Sequence, residues 1–191
     1  MGASGRRLKG TEVDLERLRL FVRLDSLSRD EGTGMAPPLL VDLAKVDLGH
    51  VLMSVEEIRQ YNPHRYEMEQ LSGVIHLDAA AGQIVAFKDV RPDEFWVRGH
   101  IPGRPLLPGV LMIEAAAQMS SLYYKRVTGD ARFLGFGGVD AVKFRGQVAP
   151  GDRLLLLGQV VEIRGRRAVF DTQGVVQDRL VFEARITGMP I

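Results

Sequence analysis

The segment GHIPGRPLLPGVLMIEAAAQ, from Gly99 to Gln118, holds a histidine, a proline-rich loop and an apolar helix that carries a single glutamate. The neutral imidazole of His100 has the basicity to take up a proton near pH 7. Glu114 follows among valine, leucine, methionine, isoleucine and alanine, where an enclosed apolar environment favours the protonated carboxyl. A base and an acid in such contrasting surroundings favour elimination or addition of water beside a carbonyl group.

The loop between these two residues predicts a pocket that polarises a carbonyl oxygen. Three prolines and two glycines between Pro102 and Gly109 stiffen the backbone and permit tight turns. Gly109 and Val110 begin the predicted helix, so their amide hydrogens lack intrahelical acceptors and lie at the positive end of the helix dipole. One such donor typically stabilises a developing oxyanion by about 3 kcal/mol. The loop alone is equally compatible with a helix start whose amides bind water.

The remaining polar residues of interest give weaker signals. Gln118 lies one turn beyond Glu114, so it could orient the carboxyl by hydrogen bonding, or it could contact strand backbone. His64, in NPHRY, and His76, in a strand, are interpreted as structural, and His50 carries no interpretation.

Composition excludes several classes of protein. The chain has 191 residues, 46% apolar content and a net charge of +1, which is typical of one core-forming domain with no nucleic-acid or membrane partner. The absence of cysteine excludes disulfides and thiolate chemistry, and four scattered histidines make a dedicated metal centre unexpected. No apolar run is long enough to span a bilayer and no signal peptide is evident, so we expect a cytoplasmic protein.

The chain divides into an N-terminal extension, 1–35, and a single domain, 36–191. The extension contains VDLERLRLFVRL at near-helical spacing and a polar stretch, SLSRDEGTG. It is interpreted as a loosely ordered extension, or alternatively as an amphipathic helix that docks on a partner subunit. A short capped helix is predicted within Asp47 to Tyr61, with Ser54 as its cap and Pro63 ending it.

Period-two patterns predict strands on both sides of one long helix. GVIHLD and QIVAFKDV form a predicted hairpin, and EFWVRG is a short strand or a loop entry. The helix runs from Gly109 to about Val127 and ends at Thr128 and Gly129. Three or four strands follow, with a turn at 164–166. This order favours an α+β fold in which an antiparallel sheet wraps one central helix, with exposed edge strands that could pair in a dimer.

At these residues the chain resembles the hot-dog-fold 3-hydroxyacyl-(acyl carrier protein) dehydratases of the FabZ type. The resemblance covers about Val55 to Met189 and is carried by three segments: NPHRY at 62–66, GHIPGRPLLPGVLMIEAAAQ at 99–118 and GVDAVKFRGQVAPGD at 138–152. It implies that His100 is the base at C2 of the acyl chain and that Glu114 protonates the leaving C3 hydroxyl. It also implies that the amide of Gly109 holds the thioester carbonyl.

The resemblance further implies the assembly and the partner. In this family the histidine and the glutamate of one site come from different subunits, so we expect an obligate homodimer, in some members assembled as a trimer of dimers. The substrate is carried on the phosphopantetheine arm of an acidic carrier protein, and no metal or redox cofactor takes part. Six basic residues are candidates for contacting that carrier: Arg104, Lys143, Arg145, Arg164, Arg166 and Arg167.

The chain departs from the family pattern in two places. Ile101 stands where phenylalanine is usual. The segment EMEQLSG, at 67–73, stands where the family has an apolar stretch ending in valine, aspartate and arginine, and its polar residues bear on the local strand packing and the acyl tunnel. The acyl chain length and the pathway are therefore left open by the sequence.

Two other functions are compatible with parts of this pattern. A hot-dog thioesterase would use the helix carboxylate to activate water, and it would tolerate His100→Ala but not loss of Glu114. A non-catalytic subunit would keep the fold and bind the carrier protein, but it would have no need of a buried carboxyl. For the dehydratase, we expect a bell-shaped pH dependence, because the reaction needs His100 neutral and Glu114 protonated.

Overall fold

A computed structural model describes residues 37–191 of the chain. The predicted extension, 1–35, lies outside the described residues. The described part contains two α-helices, two single 3-10 turns at Leu43–Lys45 and Tyr66–Met68, and six strands. The helices are α1 (Val55–Ile58) and α2 (Gly109–Thr128), and the strands are β1 (Gly73–Asp78), β2 (Gln83–Asp89), β3 (Leu134–Phe144), β4 (Arg153–Arg164), β5 (Arg167–Val176) and β6 (Arg179–Pro190).

The six strands form one antiparallel sheet in the order β1-β2-β4-β5-β6-β3. Helix α2 packs against β2 through β6, so the sheet wraps around it. The predicted α+β hot-dog fold is confirmed, with four strands after the helix. Because β1 and β3 are the two ends of the sheet order, each has one edge without a neighbouring strand within residues 37–191.

Helix α2 begins and ends where its sequence predicts. Pro108 precedes it with φ −56°, which suits a helix start, and Gly129 ends it with φ 71°, in the left-handed region that favours glycine. Along its length Met119, Leu122 and Tyr123 are completely buried. An apolar helix enclosed in this way fixes the position of every polar side chain that it carries.

The sheet buries side chains on both faces. Ile84 and Ala86 belong to the core around α2, whereas Val85 and Phe87 belong to a second apolar cluster, as the period-two alternation of a strand requires. Val41 joins this second cluster, because the segment 37–46 lies across the outer face of the sheet. The Leu40 amide donates to Gln173 Oε1 (2.9 Å), and this contact was not predicted from the sequence.

Two local predictions concern the segments on either side of the hairpin of β1 and β2. The predicted short helix within 47–61 is α1, and Met53 before it is extended and forms a bridge to Val74. Ser54 does cap α1, and Glu57 completes a reciprocal capping box. EFWVRG forms turns, so the predicted loop entry is observed and the alternative short strand is not. Within residues 37–191, no helix combines the length and apolar character needed to cross a membrane.

Candidate active site

Glu114 lies on the second turn of α2 and has polar neighbours within its own chain. Its Oε1 accepts a hydrogen bond from Gln118 Nε2 (2.7 Å), and His64 Nε2 lies 3.4 Å from the same oxygen. The Glu114 side chain is 29% exposed in the single chain. The sequence suggested a carboxyl enclosed by apolar residues, whereas the structure shows a carboxyl with one polar side and one open side.

The Gln118 amide is held in a single orientation. Its Oε1 accepts from the Gln70 backbone amide (3.0 Å), and its Nε2 donates to the Met68 backbone carbonyl (2.7 Å) as well as to Glu114. Because a backbone amide can only donate and a carbonyl can only accept, the oxygen and nitrogen of this side chain cannot be exchanged. Glu114 Oε1 is therefore an acceptor, and a proton on this carboxyl must be carried by Oε2.

Both roles considered for Gln118 are thus observed together, since it contacts the carboxyl and the backbone. The two backbone groups belong to the unusual segment EMEQLSG. Within this segment Gln70 is 1% exposed, and Glu69 forms a two-bond ion pair with Arg59 (2.6 and 2.8 Å). The polar residues are accommodated before β1 begins at Gly73.

The NPHRY motif attaches its loop to helix α2. Asn62 Nδ2 donates to the Gln118 backbone carbonyl (3.0 Å). Arg65 donates to the backbone carbonyls of Asn62, His64 and Arg59 and so fixes the loop from within. These bonds place the His64 imidazole beside Glu114. The interpretation of His64 as merely structural missed this contact, because nothing in the local sequence links residues fifty positions apart.

Burial lowers the pKa of His64, and the positive charges of Lys125 and Arg65 act in the same direction. The negative charges of Glu114 and Glu69 oppose this shift but do not cancel it. His64 is therefore neutral near pH 7. Its Nδ1 is buried and has no hydrogen-bond partner among the described residues.

His100 lies on the exposed loop before α2. Its Nδ1 is 2.7 Å from the Leu106 backbone carbonyl, which can only accept, so the neutral ring carries its proton on Nδ1. Nε2 is then free to act as a base. The His100 backbone amide donates to the Trp96 carbonyl (2.7 Å), and Ile101 adopts a positive φ of 60°. Within residues 37–191, no hydrogen bond or ion pair joins His100 to Glu114.

A buried carboxylate that the sequence analysis overlooked anchors this loop. Glu94 Oε2 pairs with Lys88 Nζ (2.8 Å) and accepts from Trp96 Nε1 (3.0 Å), while Oε1 accepts from the Arg91 amide (2.9 Å). Burial alone would raise the pKa of Glu94, but these hydrogen bonds outweigh it and the pKa is lowered. Trp96, which receives the His100 amide bond, is thus tied to the end of β2.

The start of α2 has the predicted free amides. No side chain caps the helix, and the first bond of the turn runs from the Leu111 amide to the Pro108 carbonyl (2.9 Å). The amides of Gly109 and Val110 precede it. A Cβ atom at Gly109 would lie 2.6 Å from the Phe144 ring, so a larger residue at this position would require the ring to move. Val110 is 69% exposed.

Several of the basic candidates for carrier contact already have partners. Arg104 donates to Gln147 Oε1 (3.1 Å), Lys143 and Arg145 both approach Glu183, and Arg164 pairs with Glu162. No group of three or more histidine or acidic side chains placed to hold a metal ion occurs in the described part of the chain.

Known proteins resemble this chain in sequence and in fold. The FabA-like domain family matches residues 62–185. A 3-hydroxyacyl-[acyl-carrier-protein] dehydratase FabZ from Streptococcus equi subsp. zooepidemicus is 34% identical over 137 residues, which cover 71% of this chain and 96% of that protein. A FabZ from Listeria monocytogenes serotype 4b is also 34% identical, over 136 residues that cover 71% of this chain and 94% of that protein.

Among solved structures, the dehydratase heterocomplex ApeI:P from Xenorhabdus doucetiae aligns with a TM-score of 0.60. The alignment covers 70% of this chain and 90% of that chain at 18% identity, so it supports the fold alone. The sequence matches support the family as well as the fold, because they have 34% identity and span nearly the whole length of the FabZ proteins. The chain therefore belongs to the FabA-like family, as a hot-dog dehydratase of the FabZ type.

Proposed function

We propose that this protein catalyses the reversible dehydration of 3-hydroxyacyl-(acyl carrier protein) to trans-2-enoyl-(acyl carrier protein), as a hydro-lyase of fatty acid or related acyl-chain biosynthesis. Its family membership supports the reaction. The observation that carries the assignment of the acid is the contact between Gln118 Nε2 and Glu114 Oε1, because it leaves Oε2 as the oxygen that carries the proton.

The two candidate catalytic residues complement one another in this reaction. His100 Nε2 takes a proton from C2 of the acyl chain, and the C2 electron pair forms the new double bond. The C3–O bond breaks, and the leaving hydroxyl takes the proton of Glu114 Oε2 and departs as water. The Gly109 amide, and the neighbouring Val110 amide, would donate to the thioester oxygen as charge develops on it. Gln118 affects the substrate only indirectly, by orienting the Glu114 carboxyl.

The site is completed by a second copy of the chain in this proposal. His100 is exposed, and no hydrogen bond or ion pair joins it to Glu114 of its own chain within residues 37–191. Strand β3 has an edge without a neighbouring strand in the described part of the chain. Val110 near the helix start, and Phe136 and Phe144 along this strand, are 69%, 53% and 52% exposed. Covering these side chains would favour a homodimer, in which His100 of one subunit faces Glu114 of the other. A trimer of dimers would need a second interface, because a two-fold interface is complete once two copies have paired.

The carrier protein that delivers the substrate is expected to be acidic. Arg166 and Arg167 lie at the exposed turn between β4 and β5, whereas Arg104, Lys143, Arg145 and Arg164 would have to share their present partners. The location of the reaction is proposed to be the cytoplasm.

The test is enoyl formation from short and long 3-hydroxyacyl carrier-protein thioesters, followed by product mass. We expect His100→Ala and Glu114→Gln each to lower kcat by about 10²- to 10⁴-fold. Mixed after joint refolding, the two inactive variants should recover about a quarter of the wild-type activity, because half of the dimers are hybrids with one intact site.

Other outcomes point to other functions. Release of free carrier thiol without enoyl product, with His100→Ala still active, would identify a thioesterase. Tight carrier binding without any product would identify a non-catalytic subunit. Failure of the mixed variants to recover activity would place both residues of the site in one chain.

A further inference from the structure

The His64 imidazole is placed where it can act on Glu114 and on little else. Its Nε2 lies 3.4 Å from Glu114 Oε1, and its ring stands 6.2 Å from the Phe133 ring, centroid to centroid. The loop that carries it is fixed by Asn62 and Arg65. The side chain is 20% exposed, so it is largely withdrawn from solvent.

The surroundings of the ring determine which nitrogen carries the proton. A hydrogen on Nδ1 would be buried without an acceptor, which typically costs about 1–3 kcal/mol. A hydrogen on Nε2 would instead have Glu114 Oε1 within 3.4 Å of its nitrogen, and Gln118 has already defined that oxygen as an acceptor. Four charged groups act on the ring: Glu114 and Glu69 raise the pKa of His64, and Lys125 and Arg65 lower it.

We propose that His64 is a positioning residue for the acid: its neutral imidazole donates from Nε2 to Glu114 Oε1 and, together with Gln118, keeps the catalytic proton on Oε2. This role rests on the proposed function of Glu114. Two donors on one oxygen leave the other oxygen as the site of protonation, and they also fix the plane of the carboxyl. The 3.4 Å contact is longer than the 2.7 Å bond from Gln118, so His64 is the weaker donor of the two.

The test uses two amide side chains that differ in reach. Glutamine places its amide nitrogen near the position of histidine Nε2 and cannot titrate, whereas asparagine reaches only to the position of Nδ1. We expect His64→Gln to keep kcat within about twofold of wild type and His64→Asn to lower kcat by about tenfold, with KM unchanged in both. His76→Gln, on strand β1, is the matched control and should leave both constants unchanged.

Equal loss in the two His64 variants, or an effect on KM alone, would overturn the proposal, because a structural or substrate-binding role does not distinguish the two amides. A second measurement does not depend on turnover. Long-range proton–nitrogen NMR spectra near neutral pH should show the Nε2–H tautomer of His64, with His64→Gln identifying its signals. An Nδ1–H tautomer or an imidazolium would contradict the role even in an active enzyme.

The two proposals fail separately. Loss of the dehydratase assignment would be seen in the wild-type protein, which would form no enoyl product. Loss of the His64 assignment would be seen in an active wild type whose His64→Gln and His64→Asn variants behave alike, or in the tautomer of the ring.

Discussion

The acid and the base of the proposed site are held in different ways. The acid network consists of Asn62, His64, Met68, Gln70, Glu114 and Gln118. It joins helix α2 to a segment about fifty residues earlier, and four of its hydrogen bonds involve the backbone or side chain of Gln118. The base loop, 90–108, holds His100 through bonds to Trp96 and Leu106 within the loop itself.

This difference indicates what each half requires from the rest of the molecule. The acid network fixes the Glu114 carboxyl before any partner binds. The base loop fixes the tautomer of His100 but leaves the ring exposed, so in the proposed dimer its approach to the reaction centre depends on a second subunit. The base loop is attached to the domain by the ion pair between Lys88 and Glu94 and by a bond from the buried Leu107 amide to the Val148 carbonyl (2.7 Å). Substitutions in the two regions should therefore differ in their effects.

The largest effect on stability is expected at the ion pair between Lys88 and Glu94, which attaches the base loop to β2. Glu94→Ala would leave Lys88, which is 4% exposed, as an unpaired buried charge, and breaking such a pair typically destabilises a protein by about 3–5 kcal/mol. Asp93→Ala, which removes the neighbouring but exposed partner of Arg91, is the matched control and should change little. Urea unfolding would measure both. Similar unfolding midpoints for the two variants would show that the base loop does not depend on this pair.

A substitution in the acid network should lower both kcat and the stability of the protein. Gln118→Met keeps the volume but leaves the Gln70 amide and the Met68 carbonyl unpaired, which typically costs about 1–3 kcal/mol. We expect kcat to fall by about 10- to 100-fold, since the carboxyl loses its shorter donor. Gln159→Met, on β4, is the control, because it removes a bond to the Ala81 carbonyl in the turn between β1 and β2. It should lower stability without lowering kcat, and an equal loss of kcat would contradict the positioning role.

A smaller effect is expected where the base loop meets helix α2. Gly109→Ala would bring a methyl group to 2.6 Å from the Phe144 ring, and overpacking of this kind typically costs about 1–3 kcal/mol. Because Phe144 is 52% exposed, its ring has room to move, so we expect the lower end of this range. The double variant with Phe144→Leu should regain the lost stability in thermal unfolding. No recovery would mean that the backbone of Gly109, and not the ring, limits the substitution.

The smallest effect is the dependence of stability on pH that arises from His64. Burial lowers its pKa in the folded state below the value of 6.5 for an unperturbed histidine. The unfolded chain therefore binds more protons as the pH falls through this range, and folding stability is lost on acidification. His64→Gln should lose less stability than wild type between about pH 7.5 and about pH 5.5 in urea unfolding. An identical loss in both proteins would show that His64 is not the group responsible.

Some features of the fold follow from local sequence. The proline-glycine loop, the apolar run and Thr128-Gly129 predict the bounds of α2, because helix starts and stops depend on neighbouring residues. Alternation and turn residues predict the hairpin of β1 and β2 for the same reason. The spacing of His100 and Glu114 in one short segment identifies both as candidates for catalysis, and these assignments stay predictions.

Tertiary structure alone decided the surroundings of these candidates. His64 contacts Glu114, and the backbone of Gln70 and Met68 orients Gln118. These pairs lie about fifty positions apart in the sequence, and helix or strand periodicity gives no information about contacts at such separations. The polar segment EMEQLSG illustrates the reason. Its side chains suggested a disturbance of packing, but its backbone amide and carbonyl orient the acid, and every sequence offers those groups. The folding of the sheet around the helix decides which backbone groups form hydrogen bonds with a buried side chain.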